Sequence, residues 1–430
     1  IGGVALACLL DQEGLLAEAD KPELEPKSFD LTPKPPQREP QARAMISLWM
    51  QGGPSHIDLF DPKPAMAKWH MKAFPGKIKY DNAAQASSKV LHSQWKFRPR
   101  GECGTEISEL LPYTAEIADD ICRVRSMRTG VNNHGQSILA LQTGRVTKGR
   151  PSLGSWMAYG LGSEANDLPA FLAMIDPGQL PVEGVANWSN GWLPAIYRGT
   201  EIRSEGDAVL NLKPSREIAP GVRRRNLDLL DALNNRRRRL YPDDTRLESR
   251  ILNYELAARM QQSADELLDL KGETRATQDL YGLHNPTTAD FGRRCLMARR
   301  MVEHGVRFVE VMVTVANGSS PFDSHSNLET GLKAICPRVD QPSAALITDL
   351  KQRGLLDSTI VVWSGEFGRL PISQNNTGRD HNRHAFSMVL SGGGFRGGHV
   401  HGATDEIGYR SVVDPVSVHD YHATVLHQLG

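Results

Sequence analysis

Short, almost wholly apolar runs alternate along this chain with polar, turn-forming segments, and three of these runs organise it. One is Ala44-Met45-Ile46-Ser47-Leu48-Trp49-Met50, a second covers residues 306–313 (VRFVEVMV), and a third is Thr359-Ile360-Val361-Val362-Trp363. Apolar runs of this length, bounded by breakers, predict strands buried on both faces, as in a parallel sheet. Each is followed by a polar segment. The first breaks at Gln51-Gly52-Gly53-Pro54-Ser55-His56, with Asp58 and Asp61 just beyond; the second is followed by Asp323 and His325; the third runs into Ser364-Gly365-Glu366-Phe367-Gly368-Arg369. Ligands in open α/β sheets sit outside the carboxyl ends of the strands, so these are the places to look for chemistry.

The remaining pattern fills in the architecture. A further loop of the same kind is expected near residues 123–129, before Asn132-Asn133-His134-Gly135-Gln136. A helix over 137–142 then closes on Thr143-Gly144, and Pro151 suits the first turn of another. Residues 345–353 read as a helix ending at Gly354, and residues 378–384, GRDHNRH, as a second polar knot within one loop. From about 187 to 290 the texture changes to long charged helices, read as a helical insertion in the α/β unit. Within it Leu227, Leu229, Leu230, Leu233 and Leu240 mark an amphipathic helix bearing the basic runs Arg223-Arg224-Arg225 and Arg236-Arg237-Arg238-Arg239, whose charged side is expected to face water, the alternative being an anionic polymer such as a sulfated or phosphorylated glycan lying along it. The fold class predicted is α/β, a mostly parallel central sheet with helices on both faces, over residues 44–430 as a single domain.

Composition narrows the function classes. The 430 residues are 40% hydrophobic and 23% charged, with formal net charge +0, so no global field points to nucleic acid or to a membrane. No run is long enough to span a bilayer. Five cysteines without a CxxC pair argue against a zinc ribbon or a disulfide scaffold. Residues 1–10, IGGVALACLL, suit the apolar region of an export signal, and the Pro-, Lys- and Glu-rich residues 21–41 a linker, so residues 1–43 are read as signal remnant and linker. The expected location is the periplasm or cell envelope.

The strand-end residues supply candidate metal ligands: Glu366, Asp380, His381 and His384 join Asp323 and His325 at one sheet edge if the strands are neighbours. Imidazole suits zinc, and carboxylates suit calcium or magnesium. Arg369, Arg379 and His384 are candidates to stabilise anionic oxygens.

Several long motifs carry a resemblance: QGGPSHIDLFDPKP, NNHGQ, TGR, RPSLGSWMAYGLGS, DSHSN, GEFGRLP, GRDHNRHAFS and HVHGATDEIGYRS. They resemble the exported bacterial family known as domain of unknown function 1501, which is similar to sulfatases within the alkaline phosphatase superfamily. That resemblance implies a metal-dependent hydrolase of phosphate or sulfate esters acting on a small-molecule or glycan substrate. It implies a first metal held by Asp323, His325 and His381, although Asn327 stands where the superfamily often has its His. For a second metal, Asp58 stands beyond Gln51, and Glu366-Phe367 replaces an Asp-His pair. At the expected nucleophile position stands His134 in place of a hydroxyl, with Thr129 about a turn earlier. No Cys-x-Pro-x-Arg motif occurs. The competing expectation is a non-catalytic sulfatase-like protein that binds envelope glycans or protein partners.

Overall fold

The computed structural model describes residues 29–74, 76, 86–177, 179–204, 219–240, 245–314 and 321–430. The candidate export segment, residues 1–10, lies outside the described residues, as does the linker up to residue 28.

The principal strands in chain order are β1 Ala44–Met50, β2 Ile121–Arg128, β3 Phe171–Met174, β4 Thr200–Ile202, β5 Phe308–Val313, β6 Thr359–Ser364, β7 Gly368–Gln374, β8 Gly378–Asn382 and β9 Phe386–Ser391. The helices used below are α1 His134–Thr143, α2 Leu153–Leu161, α3 Pro220–Leu240, α4 Thr245–Leu268, α5 Ala289–Glu303, α6 Leu328–Gln352 and α7 Val418–Leu429. The central sheet runs β2-β9-β6-β1-β5-β3-β4, with two short strands, Val400–His401 and Val416–Ser417, added to β2. Its pairings from β6 through β4 are all parallel, and β9 runs antiparallel to both its neighbours. The three strands foreseen from the apolar runs therefore lie side by side, with β1 between β5 and β6.

Period-two alternation explains why these strands are apolar on both faces. Along β1, Ile46, Leu48 and Met50 point into one core with Val309, Val311 and Val361, under α5 and α6. Met45 and Trp49 point into the other with Phe308, Met312 and Val362, under α1, α2 and α7. The sheet is thus sandwiched between two helical layers, the arrangement predicted.

Four local expectations change. Residues 121–128 form β2, not a loop; Arg123 is buried there and donates to the carbonyl of Phe60 at 2.9 Å, so a buried cation interrupts the apolar pattern of a true strand. Residues 368–382 form the hairpin β7–β8, turned at Asn375 and Asn376, both at positive φ. The helix expected over 345–353 is the end of α6, which runs through Pro337 and Pro342. Finally, β4 lies inside the stretch read as an insertion, yet pairs with β3 in the central sheet.

Candidate metal centre

The carboxyl ends of β1, β5 and β6 open onto one cluster. The turn after β1 requires glycine. Gly52 has φ +113°, and a Cβ there would meet Asp323 N at 2.6 Å; Gly53 has φ +74°, and a Cβ there would sit 2.5 Å from the Phe367 ring. This close approach lets the Gly52 N–H donate to both oxygens of Glu366, at 2.9 and 3.1 Å. It also turns the carbonyls of Gly52 and Gly53 toward the Arg369 guanidinium.

Four side chains converge in front of this turn: His134, Asp323, His325 and His381, with ligand atoms all within 4.8 Å of one another. His134 is the first residue of α1, whose N-cap Asn133 accepts the Gln136 N–H. Asp323 and His325 follow β5, and His381 lies on β8. Asp323 Oδ1 is 2.9 Å from His325 Nε2 and 3.1 Å from His381 Nε2, and Oδ2 is 3.2 Å from His134 Nε2. The two imidazole nitrogens of His325 and His381 are themselves 3.0 Å apart.

The outer nitrogen of each ring has its own acceptor. His134 Nδ1 donates to Glu366 Oε1 at 2.6 Å, His381 Nδ1 to the carbonyl of Asn132 at 2.6 Å, and His325 Nδ1 to Gln374 Oε1. A carboxylate, a backbone carbonyl and an amide oxygen can only accept, so each Nδ1 carries the hydrogen. In the neutral rings, each Nε2 then presents a lone pair to the centre. His134 Nε2 is buried and makes no hydrogen bond of acceptable geometry. Three lone pairs and a carboxylate facing one point repel one another unless positive charge lies between them.

The titration behaviour follows from that crowding. Burial lowers the affinity of His134 for a proton, but the carboxylates of Asp323 and Glu366 override it and raise its pKa to about 9. Contact with Asp323 raises His325. Burial, with Arg369 and His134 nearby, lowers His381. Asp323 would be raised by burial, yet the three imidazoles and Arg369, 2.5 Å away, hold it far below the ordinary carboxylate range.

A divalent cation fits this donor set. Bonds of roughly 2.0–2.1 Å in a tetrahedron give an edge of about 3.4 Å, close to the 2.9–3.2 Å separations around Asp323. Outer nitrogens tied to acceptors are the usual support of metal-binding histidines, since they fix the tautomer and the ring orientation. Phe367, which stands in place of one ligand of the second metal that the resemblance implied, lies fully buried against His381 and His134, with ring centroids 4.3 and 5.0 Å away.

The other sequence candidates lie elsewhere. Asp58, expected as a metal ligand, is buried in a two-point ion pair with Arg379 (2.8 and 3.2 Å) and accepts the Ser55 hydroxyl at 2.5 Å. Asp380 stands behind the cluster, 3.9 Å from His325 Nδ1, and accepts the His381 backbone N–H. His384 packs its ring against Tyr409 at 5.2 Å, outside the cluster. Thr129 donates its hydroxyl to the Val131 carbonyl at 2.8 Å and does not reach the centre. Arg369 is fully buried and gives its donors to Gly52, Gly53, Arg379 and Asp323, so it holds Asp323 in place and has no face toward a substrate. Glu366 acts through His134. The anchors Gln374 and Asn132 were missed as such. A register shift in the β7–β8 pairing between Arg369 and Ser373 defeats simple alternation, and a backbone carbonyl leaves no trace in sequence.

A family model described as "Protein of unknown function (DUF1501)" matches residues 42–430. No curated protein matches the sequence. Among solved structures, the chain is similar to the lipoteichoic acid synthase LtaP from Listeria monocytogenes, with 9% identity, TM-score 0.40, and 91% of this chain and 72% of that one covered. It is likewise similar to the phosphonate monoester hydrolase SpPMH from Silicibacter pomeroyi, with 10% identity, TM-score 0.37, and 91% and 73% covered. A third is the alkaline phosphatase from the Antarctic bacterium TAB5, with 10% identity, TM-score 0.33, and 91% and 100% covered.

Proposed function

The chain belongs to the DUF1501 family, and from that premise we propose that it is a metal-dependent hydrolase of phosphate or sulfate esters, with residues 44–430 as the working unit. One observation carries the reading: three histidines with hydrogen-bonded outer nitrogens turn their inner nitrogens onto one aspartate at the carboxyl ends of parallel strands. His134, Asp323, His325 and His381 would hold the cation. Three nitrogens and one oxygen suit zinc or another borderline transition metal better than calcium or magnesium, which take oxygen. Bound there, the cation would supply Lewis acidity, polarising an ester oxygen and lowering the pKa of a water to about 7.

The chain's own residues set the conditions for this. Glu366 fixes the His134 tautomer through its Nδ1–H, and Arg369 holds the Asp323 carboxylate. Asp323 and Glu366 carry two negative charges and Arg369 one positive charge, so a divalent cation leaves the centre net positive and selects an anionic substrate. His325 is the most open of the four ligands, at 34% exposure, and borders the approach. Among the described residues no Ser, Thr or Cys side chain is bonded to the cluster, which supports water as the nucleophile. Export to the cell envelope belongs to the same proposal and rests on the apolar residues 1–10.

The test is metal analysis of protein purified without chelator, together with turnover on aryl phosphates, phosphonates and sulfates. Stoichiometric zinc, iron, manganese or cobalt with turnover that chelation abolishes is expected; no metal after supplementation would refute the assignment. A second reading, a non-catalytic binder of envelope glycans, is favoured by the full internal commitment of Arg369 and the ion-paired Arg379. Bound metal without turnover on the whole panel would select it.

A further inference from the structure

Away from the metal centre, α3 is an unusual helix. The sequence predicted an amphipathic helix whose charged side faces water, yet the leucines are outside as well. Leu227 is 40% exposed, Leu229 61%, Leu230 40%, Leu233 54% and Leu240 64%, with Val222 at 41%. At 100° per residue, Val222, Leu229, Leu233 and Leu240 fall within roughly a 40° sector, a stripe about 27 Å long. Leu230, about 80° from its centre, widens it on one side, while Leu227, about 140° away, falls toward the back. Arg225 and Arg236 border the stripe on one flank and Arg237 on the other, while Asp228 and Asp231 lie round the back; Asp228 pairs with Arg224 at 3.1 Å. The helix contains seven arginines and two aspartates in a chain whose formal net charge is +0.

We propose that α3 is a peripheral docking helix for an anionic lipid surface. An apolar stripe flanked by arginines matches a helix lying in the plane of the interface: the leucines enter the acyl boundary, and the long arginine side chains reach back to lipid phosphates. A hydrated polyanion, such as a sulfated glycan, would use the arginines but give no role to the stripe. A second copy of the chain would bury the leucines but set two strongly cationic helices against each other. No helix among the described residues is long and apolar enough to cross a membrane. This inference is independent of the metal centre.

Co-sedimentation of the full chain with vesicles tests it. Vesicles of phosphatidylcholine with about a third phosphatidylglycerol should bind at least about tenfold more protein than pure phosphatidylcholine, and less as salt rises. Leu229→Gln/Leu233→Gln and Arg225→Glu/Arg236→Glu should each reduce binding about tenfold or more. Asp228→Asn/Asp231→Asn, on the opposite face, should not weaken it. All three pairs sit on an exposed helix, and unchanged thermal unfolding confirms intact folding. Equal binding to both vesicle types would overturn the proposal. So would full retention of binding by the leucine variant, the mark of a polyanion site, or a dimer in light scattering that this variant dissolves.

Discussion

Asp58 and Asp323 stand at neighbouring strand ends of the same sheet edge, both follow apolar strands, and both read from sequence as metal ligands, yet they have opposite fates. Asp58 meets a guanidinium, fully buried, in a two-point contact. Burial pushes its pKa up, but Arg379 and the Ser55 hydroxyl turn it down. Asp323 also touches a guanidinium, through one oxygen, and otherwise faces three imidazoles. An arginine keeps its charge at every accessible pH, so the Asp58 pair is closed. Imidazoles exchange protons near neutrality, so the positive charge around Asp323 can be replaced by a cation. What separates a candidate ligand from a structural anchor is therefore whether the partner's charge is exchangeable.

The comparison breaks most visibly at Asp323. Asp323→Ala should lower metal affinity by roughly a thousandfold, since the site loses its only anionic ligand; retained stoichiometric metal would show that the cluster is not the site. Asp58→Ala should leave metal content unchanged but cost about 3–5 kcal/mol in chemical denaturation, because Arg379 stays buried without its partner. Metal loss in a folded Asp58 variant would erase the distinction.

A third buried carboxylate sharpens it. Among the described residues, Glu310 on β5 has only the Gln142 amide for a partner, and burial pushes its pKa up to about 8. In the unfolded chain it titrates near 4.3, so between these values the folded state holds a proton the unfolded state has lost, and stability falls as pH rises. Glu310→Gln should flatten that slope and gain about 3 kcal/mol at pH 7, read from denaturation midpoints at several pH values. An unchanged slope would mean that Glu310 is ionised in the fold.

The smallest effects concern the support of the ligands. Glu366→Gln should reduce metal affinity by about ten- to a hundredfold without removing a ligand. In the wild type, the His134 proton must leave before a cation binds, so apparent affinity should rise about tenfold per unit from pH 7 and level off near 9. Calorimetric titration across that range checks this, and a flat profile would exclude His134 as a ligand.

Much of this was legible in the sequence. The apolar runs of β1, β5 and β6 located the sheet and the edge that carries the cluster, and with the family motifs they named Asp323, His325 and His381 as ligands; His134 was expected at the nucleophile position and Glu366 as a ligand, where the structure sets His134 among the ligands and Glu366 behind it. Their meeting at one place was conditional on strand order, which the runs do not encode. The hairpin β7–β8 was hidden by a Gly-, Pro- and Asn-rich composition, although two adjacent asparagines suited to positive φ are a hairpin signal. The fate of Asp58 was hidden for another reason: its partner lies 321 residues further along the chain, and nothing local distinguishes an aspartate that will meet an arginine from one that will meet histidines.

The distances along the chain inside the candidate metal centre also bear on how the molecule is made. His134 reaches Glu366 across 232 residues, and Gly52 reaches it across 314. Contacts of such long range close late, after the loops between them have lost their freedom. The candidate ligand cluster therefore depends on contacts that span most of the polypeptide, and capture of a cation there would be a seal on a finished fold.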